Sequence, residues 1–263
     1  LAGGTAIPEL RDKNALEPVP PLLIRPEITD DKAWREGFDG GFLEKDKRWG
    51  YAVSMDLSGD IYINTDVVKQ EEVRTVQDLL APKWKGQLHF TDIRSGYTSV
   101  LATGIRLKYG ESILRRLFVE QEPVYSRDNR LVTENMVRGK YPIATGVVPG
   151  ILQEFLDRGL GKNLKSVFLT DPTIGNLATP ILRMRNPPHP NAAKLFINWF
   201  LTKQGQTALS QSTGINSRRL DVSPASPSRY PEPGKPLGWI YGNEEAVEEA
   251  FKTQKLVIDW LGG

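Results

Sequence analysis

Apolar residues along this 263-residue chain recur with two different periods, and the elements they predict alternate. Pro18, Pro20, Pro21 and Pro26, then Gly37, Gly40 and Gly41, predict an irregular first fifty residues, with a short helix over Ile7–Lys13. The β-branched and aromatic run Gly59–Val68 reads as a strand, and Gln87–Thr91 as a second, after a helical turn at Val76–Leu80. Tyr97, Leu101, Ile105 and Tyr109 form a helical stripe that stops at Gly110. Helices are expected at Glu111–Phe118 and Asn129–Arg138, then a strand at Tyr141–Thr145, whose Pro142 assigns it to a sheet margin or a strand start. A helix marked by Ile151, Leu152, Phe155 and Leu156 and a strand at Ser166–Leu169 come next. After Pro187–Pro190, the positions Ala192, Leu195, Phe196, Trp199 and Phe200 fit one helix face. Pro224, Pro227, Pro231, Pro233 and Pro236 predict a stiff loop, followed by an acidic helix, Asn243–Phe251, and an apolar tail, Leu256–Leu261. Strands alternating with helices over short links predict an α/β fold. The opening, Leu1–Ala6, reads as a loop and points to a mature or truncated product.

Composition removes several classes of function. With no cysteine, neither a disulfide scaffold nor a thiolate metal site is available. Lys and Arg number 34 against 32 Asp and Glu, a balance without the basic footprint of a nucleic-acid binder. No apolar run is long enough to span a membrane, and no basic segment followed by an apolar stretch opens the chain. Nucleotide-binding, P-loop, serine-hydrolase and zinc-protease signatures are absent, so no catalytic residue, metal ligand or cofactor is expected. His89 lies in a predicted strand and His189 in a proline cluster, and both read as structural. Asp30-Asp31, Glu71-Glu72 and Glu244-Glu245 read as solvated faces.

One segment carries a positive chemical argument. Asp92-Ile-Arg-Ser-Gly-Tyr-Thr98 follows a strand and opens a helix, where free backbone N–H groups and the helix dipole attract anions. Ser95 and Thr98 add hydroxyls, Gly96 permits close approach, Arg94 offers a fork for an oxyanion, and Asp92 and Tyr97 flank them. An ordinary cap by Ser95 or Thr98, with Arg94 in solvent, is the competing reading. Thr145-Gly146 opens a second strand-to-helix junction that runs to Gly150. Gly175-Asn176, within Pro172–Ala178, is a further ligand-binding candidate, since the pair permits positive φ and a close approach, with a plain turn as the competing reading. Tyr51, Tyr97 and Tyr125 are placed either to close over a ligand or in the core or rim.

Certain strings carry a family resemblance: Asp78–Gly86, Asp92–Gly96, Gly139–Ala144, and Pro188–Phe196 continuing to Gln204-Gly-Gln206. They resemble the periplasmic solute-binding proteins of ABC importers, in the type II cluster that includes ferric-ion-binding proteins. The resemblance implies a two-lobed α/β fold with crossing hinge strands and a first lobe truncated at its N-terminus. The first lobe would comprise residues 1–65 and 175–240, the second 66–174, and a helical tail, 241–263, would pack on either. Ile61–Thr65 and Ile174–Pro180 would be the crossings. Ferric-binding members use adjacent tyrosines; no Tyr-Tyr pair occurs here, and the corresponding region reads Thr145-Gly-Val-Val-Pro-Gly150.

The expectation is a non-catalytic, monomeric, exported binder that captures a small, anionic solute by hinge closure and hands it to a membrane permease of an ABC importer. Arg94, Ser95 and Thr98 suit a phosphonate, sugar phosphate or carboxylate. The alternatives are an enzyme on the same fold, with Asp92 as its candidate acid, a sensor domain, or a ferric site completed by a synergistic anion.

Overall fold

The computed structural model describes residues 7–232 and 234–262. The expected opening loop and Pro233 lie outside the described residues. Helix α1 (Ile7–Asp12) and the two-residue strand β1 (Leu16–Glu17) lead into short 3₁₀ turns between Pro20 and Gly41. Strand β2 (Gly50–Ser58) follows. The hydropathy pattern does not flag it, because its first six positions are all buried and Ala52, Ser54 and Met55 carry no β-branched signal. Strand β3 (Ile61–Asn64) is shorter than the expected 59–68 run. Gly59 precedes it at φ +73°, and the Asn64 carbonyl accepts the N–H groups of Val67 and Val68 at 3.1 and 2.8 Å, which turns the chain.

Helix α2 (Val76–Leu79) and strand β4 (Leu88–Thr91) agree with expectation. Helix α3 (Gly96–Arg115) does not stop at Gly110: that residue adopts φ 80°, ψ 177° and kinks the helix, joining the two expected segments. Strand β5 (Val124–Ser126), absent from the sequence reading, precedes helix α4 (Asn129–Val137). Strand β6 (Ile143–Thr145) begins immediately after Pro142, and helix α5 (Pro149–Leu156) and strand β7 (Leu164–Val167) follow.

Strand β8 (Ile174–Met184) absorbs the expected turn. Gly175 and Asn176 are strand residues, and the positive φ lies at Thr179, at +55°. Ser54 donates to the Thr179 hydroxyl at 3.0 Å. Helix α6 (Pro190–Phe200) forms as expected, but Leu195 is 71% and Phe196 54% exposed. The helix docks instead through Ile197, Asn198 and Phe200, with Asn198 bonded to the Leu22 carbonyl at 2.8 Å and the Ile24 N–H at 2.9 Å. Helix α7 (Lys203–Thr213) ends at Gly214, φ +72°. Strand β9 (Trp239–Tyr241) and helix α8 (Glu244–Trp260) complete the chain. A single helix thus replaces the expected acidic helix and apolar tail, because Ala246, Ala250, Thr253 and Val257 form one buried stripe at helical spacing.

The chain divides into two compact units. One comprises residues 1–57, 175–236 and 240–247, the other 58–174, 237–239 and 248–263, so the division falls within α8. The first unit contains a sheet ordered β1-β8-β2, with β9 also on β8. Its core gathers Trp34, Phe38, Phe42, Tyr51, Ile181, Phe200 and Leu209. Fully buried Arg218 threads this core, donating to the carbonyls of Gly37, Phe38 and Ala52 at 2.8, 3.2 and 3.3 Å.

The second unit contains a five-stranded sheet ordered β5-β4-β6-β3-β7. Strands β5, β4 and β6 run parallel, while β3 is antiparallel to both its neighbours. Tyr62, Val132, Met136, Ala144, Val147 and Leu152 form one of its cores. Within this unit α8 holds α3: Arg106 pairs with Glu249 and donates to the Thr253 hydroxyl at 2.8 Å, and Gln254 donates to Ser99 at 2.9 Å.

Candidate functional site

Three adjacent parallel strands in the second unit end on one edge, and each feeds a helix: β5 into α4, β4 into α3 and β6 into α5. Open α/β sheets gather ligands at such carboxyl ends, because loop backbone and helix N-termini converge there. The three N-termini differ. At α4, the Asp128 carboxylate accepts the N–H groups of Arg130 and Leu131 at 2.8 and 3.2 Å, so its donors are satisfied internally. At α3 the cap residue Ser95, and at α5 the cap residue Val148, make no side-chain cap bond. A Cβ built on Gly96 or on Gly150 would meet nothing within 4 Å, so both first turns face open space.

Ionic groups collect beside α3. The Asp92 carboxylate accepts from the Arg94 N–H at 2.9 Å, from Arg94 Nη1 at 3.2 and 2.9 Å, and from Arg127 Nε at 3.2 Å. Partial burial works to raise the Asp92 carboxyl, but the Arg94 N–H and the two guanidiniums outweigh it and hold it below the usual carboxylate range. Arg94 and Arg127 remain largely in solvent, with 47% and 78% of their side chains exposed. Arg127 is absent from the sequence-derived set. Its signal was a second strand end, Tyr125-Ser-Arg-Asp128, that repeats the polar turn after Phe90.

Of the expected site residues, Asp92, Arg94, Ser95, Gly96, Tyr97, Thr98, Thr145 and Gly146 come together on this edge. Their orientations differ. Gly96 and Tyr97 face solvent and Ser95 is half-buried. Thr98 and Thr145 are fully buried and bond to each other at 2.6 Å, and Thr98 bonds to Thr91 at 2.7 Å. Those hydroxyls fasten the first turn of α3 to the ends of β4 and β6. Gly146, at φ +75°, lies against Thr91; a Cβ there would sit 2.2 Å from Thr91 Cγ2. Only glycine fits both the backbone and the gap.

Gly175, Asn176 and Tyr51 belong to the other unit. Tyr51 is fully buried, stacks on Phe38 at 4.7 Å and accepts a bond from Arg218. Burial raises its phenol strongly, outweighing Arg218. Tyr125 donates to the Phe118 carbonyl at 2.6 Å and likewise packs inward. His89 is buried, stacked on Tyr141 at 4.6 Å, with Nδ1 3.0 Å from the Val124 carbonyl and Nε2 3.2 Å from Asn135 Nδ2. Both ring nitrogens are therefore engaged in structure. Among the described residues no three His, Asp or Glu side chains converge as a metal site, and no helix is long and apolar enough to cross a membrane.

Similar folds occur among solved structures. The ferric binding protein of Bordetella is 17% identical with a TM-score of 0.67, over 98% of this chain and 80% of that one. Mannheimia haemolytica ferric iron-binding protein A, in an open conformation, is 13% identical with a TM-score of 0.69, over 96% and 78%. The ferric binding protein of Campylobacter jejuni gives 15% and 0.60, over 97% and 80%. At such identities the likeness is one of fold, the two-lobed α/β architecture of periplasmic binding proteins. No curated protein is similar enough in sequence to count as a match. The family model for bacterial extracellular solute-binding proteins matches residues 7–244, and the chain belongs to that family.

Proposed function

We propose that this protein is the non-catalytic solute-binding component of an import system, working outside the cytoplasmic membrane and delivering a small anionic solute to an ABC permease. The two compact units are the lobes in this reading, and capture proceeds by hinge closure over the solute, as a monomer. The observation that carries it is the uncapped first turn of α3 beside Arg94, on the carboxyl edge of a parallel sheet, in a chain of the solute-binding family. Backbone N–H groups at Gly96 and Tyr97, the Ser95 hydroxyl and the Arg94 guanidinium supply donors without requiring a catalytic acid or a cofactor. Thr98, Thr145 and Gly146 support them from below.

Thermal melting against a panel of anions and metabolites, joined to mass spectrometry of solute released from purified protein, tests the reading. A solute bound only by the folded state raises stability by about 2.7 kcal/mol at a hundred times its dissociation constant. A melting temperature unmoved across the whole panel removes the capture reading.

The names of the neighbours favour one second reading, ferric ion held with a synergistic anion. Adjacent tyrosines are missing, so hard phenolate ligation lacks its usual residues. A charge-transfer absorption band on adding ferric ion, dependent on an added anion, would establish it.

A further inference from the structure

We propose that a groove in the first unit, between the end of β8 and α6, is a second binding site, and that it takes an amphipathic carboxylate: an apolar body carrying one anionic head. The site shares no residue with the α3 edge, and it stands whether or not the capture reading holds.

The groove follows from the way α6 docks. That helix meets its unit through Ile197 and Phe200 and leaves Leu195, Phe196 and Trp199 exposed. Beside it lies a cavity of about 360 Å³, walled by Ile181, Met184, Phe196, Ile197 and Phe200. Small-molecule sites have roughly this size, about 300–1,000 Å³, and the same character, apolar walls with a few placed polar groups. Phe196 stacks on Phe200 at 5.4 Å and lies 5.9 Å from Trp199. The apolar wall therefore continues from the cavity onto the outer face of the helix, where the far end of a longer tail can rest.

The polar group is Arg183, the one charged side chain that lines the cavity among the described residues. It is only 5% exposed. Its Nε donates to Glu17 at 3.2 Å and its Nη1 to the Pro190 carbonyl at 3.3 Å, while Nη2 makes no bond. Nη2 is not sealed in by protein, so it opens into the groove that its side chain lines. A carboxylate supplies the missing acceptor through a charge-assisted bond, about twice as strong as a neutral one. With Nη2 alone left free, one small head is served.

Charge complementarity sets the sign of that head. From Pro172 to Leu220 the sequence holds no Asp or Glu, against Arg183, Arg185, Lys194, Lys203, Arg218 and Arg219. Glu17 is the carboxylate paired with Arg183, and its other oxygen accepts the Asn186 N–H at 3.4 Å. Glu17 offsets one charge; Arg185, on the link to α6, and Lys194, on α6 itself, leave the groove in cationic surroundings. A guanidinium nitrogen only donates, so an ammonium head finds no acceptor there, and a hydroxyl head gains one weaker bond.

The test titrates octanoate, 1-octanol, octylammonium and acetate calorimetrically into the full chain. Octanoate is expected to bind one site per chain, at least about tenfold more tightly than 1-octanol or octylammonium. Acetate is expected to give no binding heat at the same concentrations, and each methylene added from butanoate to octanoate is expected to tighten binding by about fourfold. Met184 is 46% exposed on the groove wall, so Met184→Glu is expected to leave the melting of the empty protein unchanged. The same variant should weaken octanoate by about tenfold or more and favour octylammonium. Arg183→Met is expected to bring octanoate down to the affinity of 1-octanol and to leave 1-octanol itself unaffected; if this buried substitution prevents folding, Met184→Glu decides alone.

Octanoate held no more tightly than octylammonium, or unaffected by Met184→Glu, overturns the inference. So does a dimer that Leu195→Ser disperses and octanoate does not, because the groove then belongs to a second copy of the chain.

Discussion

His89 shows how a single buried side chain sets a pH limit on this fold. Burial lowers its pKa, Lys140 adds to the effect, and the Val124 carbonyl opposes it. The unfolded chain therefore takes up this proton at a higher pH than the folded one. The stability contribution is complete above the reference value near 6.5 and declines as pH falls below it, by up to about 1.4 kcal/mol per pH unit. His89→Gln is expected to flatten the dependence of the urea midpoint between about pH 5 and 7 relative to the parent; parallel curves would remove His89 as its source. Thr98 makes a second residue-scale case. Thr98→Val strands the Thr91 hydroxyl and leaves that of Thr145 with only the Thr91 N–H at 3.3 Å, and is expected to cost about 1–3 kcal/mol in urea unfolding. The sequence was enough to locate Thr98 and Thr145 at neighbouring strand-to-helix junctions but not to give their direction. Residue order puts Thr98 in the first turn of a helix, whereas only the packing of that turn on β4 and β6 decides that its hydroxyl points inward. Arg218 was invisible for a related reason, since its partners are backbone carbonyls distant in sequence.

At the scale of elements, glycines and caps decide where helices may present donors. Gly146 and Gly214 share nearly the same φ, +75° and +72°, but only the first has a neighbour in the way. Gly214→Ala should cost about 1–2 kcal/mol, the ordinary penalty of a left-handed residue. Gly146→Ala should cost at least about 3 kcal/mol, because Thr91 must also move. Equal losses in denaturant midpoint would show that Thr91 yields freely. The helices were legible because their apolar positions recur at i, i+3 and i+4, as in α4 and α5. The strands were less so: β2 is buried on successive positions and lacks alternation, β5 has only three residues, and β8 runs through a Gly-Asn pair that locally imitates a turn. Missing β5 also hid Arg127, the residue that follows it. Helix α6 was found by its apolar face, yet Leu195 and Phe196 on that face are exposed. Periodicity establishes the helix; it does not say what covers it.

For the whole molecule, the family strings at 78–96 and 139–206 contained more than any periodicity did, because they specify how elements follow one another. Their agreement with a family model over 7–244 identifies the fold and the binding role together. A binder that closes on its solute and a binder that holds it on one edge differ in how the molecule melts. Each unit has its own core, and the chain passes from one to the other five times, at 57–58, 174–175, 236–237, 239–240 and 247–248 within α8. Solute held by the α3 edge alone stabilises only the unit containing residues 58–174, by about 2.7 kcal/mol at a hundred times its dissociation constant. Solute gripped by both units couples them: local opening of either unit then releases it, so both melt later and closer to one cooperative transition. Hinge capture therefore predicts that scanning calorimetry with saturating solute gives one sharpened transition, with a ratio of van't Hoff to calorimetric enthalpy nearer to unity than in the empty protein. Two transitions of which only one moves would confine the solute to the α3 edge and remove closure from the mechanism, leaving the binding role intact.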